Sequence, residues 1–398
     1  MTTPTLPQEQ PDFSLVLGGP FYRLLRRAHL TGPALEQLPR RILFFALITW
    51  LPLAVLTLIE GNPSGMKLTF LHDVEAQVRF LVAVPELIGA ELIVQERMRI
   101  TIIRFVDRGI IRAGDIPRFN AAIEAATRLR NALPLELALL IVVYTVGQWF
   151  WRSQSALETA SWYGAPHGVH LGLTLPGYWY AFVSLPFFQF ILLRWYLRLF
   201  IWFLFLWRIS RFDLHLLPAH PDRAGGIGFL GVGSYAFGPI LFAQGAVLAG
   251  LIANRIFYQG QNLLSFKLNI LAFVVLFLVF ILAPLLVFTP QLNAAKRRGL
   301  GEYGTLAASY VSEFEDKWLP AGEQKANAHH DELLGNGDFQ SLADLGNSFG
   351  FVRDMRLVPF SLEDVFRLAI ATAVPLLPLL LTIMPLDELL TRLAKIVF

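Results

Sequence analysis

Seven mostly apolar runs, joined by loops alternately rich and poor in arginine, set the strongest limit on what this chain can fold into. A helix needs about 20 mostly apolar residues to cross a bilayer. Arg41–Leu58, Val78–Val94, Leu133–Trp151, Tyr178–Trp207, Ile227–Phe257, Leu268–Phe288 and Val365–Met384 qualify. Val78–Val94 is the weakest, since it holds Pro85, Glu86 and Glu91; the last run contains Pro375 and Pro378. Proline is tolerated in a bilayer helix where neighbours satisfy the freed carbonyls. Composition agrees: 55% of residues are hydrophobic and 16% charged, against about 25% charged in a soluble domain. The expected fold is therefore all-α, a polytopic bundle of about seven spans with cytoplasmic helical extensions.

Arginine placement orients the bundle, because loops facing the cytoplasm carry an excess of Lys and Arg. Arg23, Arg26, Arg27, Arg40 and Arg41 precede or open the first run. Arg97, Arg99, Arg104, Arg108, Arg112, Arg118, Arg128 and Arg130 lie between the second and third. Arg208, Arg211 and Arg223 follow the fourth, and Lys296, Arg297 and Arg298 the sixth. The intervening loops, Gly61–Gln77, Ser153–Gly177 and Gln259–Lys267, hold only Lys67 and Lys267. Arg79, Arg152 and Arg255 stand at outer helix ends. This pattern predicts a cytoplasmic N-terminus and a periplasmic C-terminus.

The chain divides into a cytoplasmic N-terminal segment, 1–40, and a transmembrane bundle, 41–290, with amphipathic cytoplasmic helices near 100–130. A cytoplasmic helical hairpin, 291–364, precedes a last span with a short amphipathic tail, 365–398. In the hairpin, Leu300, Tyr303, Ala307, Tyr310, Phe314 and Trp318 form a helical stripe, so the sixth span is expected to continue inward as helix. Ser361 with Asp364 resembles a capping box. No secretory signal peptide is expected at the N-terminus.

The stretch "HPDRAGGIGFLGVG", His220–Gly233, matches the HPD tripeptide of J-domain co-chaperones, but its neighbours are apolar spans and not the polar helices of that domain. It lacks Gly-Lys-Ser/Thr and a preceding strand, so it is no nucleotide loop. Two readings remain. Pro218 and Pro221 can end one span while Asp222 caps the next, making a joint. Alternatively His220, Asp222, Arg223, Gly225 and Gly226 form a helix-start site for a small anion. The fifth run, glycine-rich to Gly238 and then meeting Pro239, could be interrupted, as at some transport sites. "RWYLRLFIWFLFLWRISRFDLHLLPAHPDRAGGIGFL", "EYGTLAASY", "FEDKW" and "MRLVPFSLEDVFRLA" resemble blocks of a group of bacterial polytopic inner-membrane proteins of uncharacterised activity. The resemblance spans roughly the second half of the chain. It implies a bacterial inner membrane and no catalytic residue.

Charges within the runs are the remaining candidates. Arg194 and Arg198 share one helix face at i, i+4, and each costs about 2.5–3.5 kcal/mol if it meets lipid near the bilayer centre. Glu86 and Glu91 are the natural partners, with Glu86 nearest the depth of Arg198. They form either a buried network that fixes packing or a polar path completed by Gln189 and Gln244. The expected function is a channel or transporter for a small, anionic solute. The alternative is a non-transporting scaffold or accessory subunit that binds anionic lipid or a protein. An intramembrane enzyme using Glu86, Glu91 and His220 ranks third, and no Ser/His/Asp spacing, HExxH or Walker lysine supports it. No cofactor and no metal is expected. There is no cysteine, and His329, His330, Asp331 and Glu332 are adjacent in a polar linker. His167 and His170 read as loop residues. A net charge of +3 is too scattered for nucleic acid. Gly245 and Ala249, a small-xxx-small pair, are compatible with a homo-oligomer.

Overall fold

The computed structural model describes residues 13–32, 37–61, 69–154, 161–167, 170–319 and 335–382. The tail after Thr382 and the His329–Glu332 linker lie outside the described residues. Among the described residues, regular structure is helical except for an antiparallel ribbon, β1 (Gly164–His167) with β2 (His170–Leu173). The helices are α1 (Pro20–Arg27), α2 (Leu38–Glu60), α3 (74–107), α4 (Ile116–Arg130) and α5 (Leu133–Ser153). Then come α6 (Leu175–Ile209), α7 (Phe229–Gln259), α8 (Leu263–Trp318), α9 (Gly337–Arg353) and α10 (Leu362–Thr382).

Among the described residues, six helices are long and apolar enough to cross a membrane: α2, α5, α6, α7, α8 and α10. The protein is thus an all-α polytopic bundle. The weak second run is part of α3, where Arg79, Glu86 and Glu91 fall within one 18-residue stretch. Yet α3 traverses the same thickness as α7 in the opposite direction. Gly250 of α7 lies against Glu75 at one end, and Gly233 against Thr101 at the other. Two of the three charges that lower its hydropathy, Arg79 and Glu91, are buried, as shown below.

Proline shapes the spans, and two of the carbonyls it frees have a side-chain donor instead. Pro52 cannot bond the carbonyl of Ile48, which accepts instead from the Trp179 indole at 3.3 Å. Pro186 frees the carbonyl of Phe182, which accepts from the Tyr144 hydroxyl at 3.0 Å. Wide π turns, Arg79–Ala83 and Tyr180–Ser184, precede Pro85 and Pro186, giving the proline rings room. A third, Val143–Gly147, lies on α5, where the Gln148 amide donates to the carbonyl of Ala181. The α5–α6 seam is therefore tied by side chains at its irregular turns.

The fifth run is one continuous helix, α7, neither split nor re-entrant. It tightens to a 3-10 turn at Ser234–Phe237, just before Pro239. Gly245 packs within the chain: a methyl there would overlap the carbonyl of Thr372 on α10. That small-residue face is filled by α10, so it does not argue for a second copy. α8 runs for 56 residues, about 84 Å, far more than a bilayer needs. Its far third carries the aromatic stripe. Phe314 and Trp318 pack on Phe339 of α9 with ring centroids 4.9 and 5.2 Å apart. Asp338 receives Lys317 at 2.6 Å and the Trp318 indole at 3.1 Å, while Asn336 caps α9. Ser361 and Asp364 form the full capping box that opens α10. α4 packs under the bundle along the last turns of α6, with Phe119 6.0 Å from Phe205.

Candidate functional site

Five charged side chains from four helices meet in one buried cluster. Arg41 of α2 binds Glu91 of α3 at 2.7 Å, and Arg198 of α6 binds the other oxygen of Glu91 at 2.8 Å. Arg194 lies 3.9 Å from Glu91 and 3.5 Å from Glu136 of α5. Glu136 also accepts the backbone N–H of Phe21 at 2.7 Å, which ties α1 to the group. All five residues are at most 8% exposed. Aromatic faces cover the guanidiniums: Phe21 lies 4.7 Å from Arg194, and Trp195 4.5 Å from Arg198. Such contacts add about 0.5–2 kcal/mol each when desolvated. The space enclosed between the charges is about 10 Å³, the scale of one water molecule. Three arginines against two glutamates leave the cluster one positive charge in excess.

The structure brings together three of the sequence candidates, Glu91, Arg194 and Arg198. Glu86 stays apart, half-buried, with no ion pair among the described residues. Gln189 packs against Gly147, and Gln244 is buried on α7. Gln189 Oε1 and Gln244 Nε2 have no hydrogen-bond partner among the described residues. Depth also differs from expectation. Arg41 and Glu136 sit in the first turns of α2 and α5, so on that side Arg194 is level with the helix ends and not mid-span. α6 simply continues for 15 residues beyond Arg194, about 22 Å, beside α4 and Phe13. Arg41 and Glu136 went unrecognised as site residues because each lies where a span begins and reads as an ordinary terminal charge. Pairing demand gave no signal, since Glu86 and Glu91 already matched the two arginines in number.

A second buried network holds the opposite end. Asp73 accepts from Asn254 and Trp162 at 2.8 Å each. Arg79 bonds Glu75 and the Tyr180 hydroxyl. Burial, reinforced by the Asp73 carboxylate, pushes the Tyr163 hydroxyl up to about 12, so this loop tyrosine stays protonated at neutral pH.

The His220–Gly233 stretch is self-contained. Asp222 Oδ1 accepts from the N–H of Ala224 at 2.8 Å and of Gly226 at 3.1 Å, and Oδ2 from Gly228 at 2.9 Å. The amides that were candidates for an external anion thus point at the chain's own carboxylate. His220 Nδ1 lies 2.9 Å from the same carboxylate. Arg223, Gly225 and Gly226 take positive φ of 52°, 65° and 96°, which curls the backbone around Asp222. The loop is also a hub: Arg356 donates to the carbonyls of Asp222 and Arg223, and Gly231 to Pro359. Replacing Asp222 with alanine strands three N–H groups and should cost about 1–3 kcal/mol for each that water cannot reach. Asp222→Asn, which keeps one acceptor oxygen, should cost less; thermal unfolding in detergent checks the order.

No family model, curated protein or solved structure matches this chain.

Proposed function

We propose that this membrane protein is a non-conducting scaffold or accessory subunit of the bacterial inner membrane, with its arginine-rich end in the cytoplasm. The observation that carries this reading is the closed charge cluster. The arginines best placed to attract a permeating anion are bound to Glu91 and Glu136, and the space between them admits about one water molecule. A bound pair buried this well is costly to open, because separating it leaves bare charges in a low dielectric. The cluster then serves to hold α2, α3, α5 and α6 in register, and the exposed surfaces engage anionic lipid or a protein partner.

A channel or transporter for a small anion is the second reading. Three features favour it: the excess positive charge of the cluster, the 3-10 turn within α7, and the buried Gln244 Nε2 donor, which has no partner among the described residues. Flux measurements in liposomes separate the two. The scaffold reading expects chloride and nitrate to enter no faster than into protein-free vesicles. Fast entry that an Arg194→Ala/Arg198→Ala variant abolishes would overturn it.

A further inference from the structure

An apolar groove of about 510 Å³ opens on the flank of the bundle between α2, α5 and α6, and α1 closes one end. Phe21, Leu24, Leu137, Leu140, Tyr144 and Phe187 are among the residues that line it. Its one carboxylate, Glu136, is already engaged by Arg194 and the Phe21 amide. Along α5 the lining runs from Leu133 to Tyr144, about 16 Å. That is about half the 30 Å hydrocarbon thickness, the reach of one leaflet. α1, "PFYRLLRR", turns Phe21 and Leu24 to the groove and carries Arg23 and Arg27 exposed on its flanks and Arg26 exposed on its far face. Arg40, at the start of α2, is exposed as well. Among the described residues no carboxylate pairs with any of these four arginines.

We propose that this groove holds one acyl chain of an anionic phospholipid, whose headgroup is attracted by the exposed positive charge of Arg23, Arg26, Arg27 and Arg40 around the end that α1 closes. The shape selects a chain confined to a single leaflet, and the arginines select the headgroup charge. A zwitterionic lipid fits the groove equally well but offers the arginines no net charge. The site is independent of whether the bundle conducts.

Because the chain has no cysteine, a single Leu140→Cys variant carries one fluorophore into the groove without background. The full-length protein is reconstituted in phosphatidylcholine vesicles containing equal fractions of either brominated-chain phosphatidylglycerol or brominated-chain phosphatidylcholine. Brominated phosphatidylglycerol should quench the label several-fold more than brominated phosphatidylcholine does. Adding Arg23→Gln, Arg26→Gln and Arg27→Gln should remove that excess. A label at Leu276→Cys, on the lipid-facing side of α8 (63% exposed), should be quenched equally by both and serves as the folding and partition reference. Equal quenching at Leu140, or an excess that survives the triple glutamine variant, overturns the proposal.

Discussion

Replacing Glu91 with leucine should leave little folded protein in the membrane fraction, and what is recovered should unfold at markedly lower denaturant. Glu91 is the hub of the charge cluster, within 4 Å of Arg41, Arg194 and Arg198. Leucine fills much of the same volume, so packing changes little, and the effect isolates the charge. Without the carboxylate three guanidiniums face one another, and among the described residues only Arg194 retains a carboxylate partner, Glu136. Removing one member of a buried pair typically costs about 3–5 kcal/mol, and here one substitution strips two close partners at once. Glu91→Asp should fall between, because a shorter carboxylate cannot reach Arg41 and Arg198 together. The decisive control is the triple variant Glu91→Leu/Arg41→Met/Arg198→Met, which removes the stranded charges and should regain most of the lost stability. Tryptophan fluorescence during SDS-induced unfolding reads all three. Wild-type unfolding of Glu91→Leu would mean that the cluster does not hold the bundle together.

Gly245→Val should be the other severe substitution. Its Cβ would overlap the Thr372 carbonyl, a backbone atom that no rotamer change can move. α10 must then slide away from α7, exposing the contact around Ala249, Leu376 and Leu379. Overpacking costs about 1–3 kcal/mol where side chains can yield, and a main-chain collision belongs at or above the top of that range. Gly238→Ala on the same helix is the matched control, since nothing lies within 4 Å of the added methyl. It should be neutral, and SDS unfolding of the two variants side by side measures the difference.

The spans were legible because a bilayer demands long apolar runs, and the chain supplies them without ambiguity. α3 was harder: Arg79, Glu86 and Glu91 lower its hydropathy, and only its packing between α2 and α7 explains why they are tolerated. Part of the charge cluster could be read from the i, i+4 arginines on α6. Its completion could not, because helix ends are staggered in space in a way that sequence position does not encode. Glu136 looks terminal on α5, yet it meets Arg194, which looks central on α6. Asp222 was expected to cap the next helix, but α7 starts at Phe229 with Gly228 as its N-cap and no capping side chain. Asp222 instead folds the loop ahead of it, and the positive φ of Arg223 that wraps three amides around the carboxylate left no trace in residue type. Gly245 displayed a small-residue face without saying whether the same chain or another would fill it.

The order in which the cluster's members leave the ribosome bears on how such a protein is made. Arg41 emerges first, then Glu91, Glu136, Arg194 and Arg198. Their running sum goes from one positive charge to zero, to one negative, to zero, and back to one positive. Translation thus never presents the inserting bundle with more than a single unmatched charge from this set.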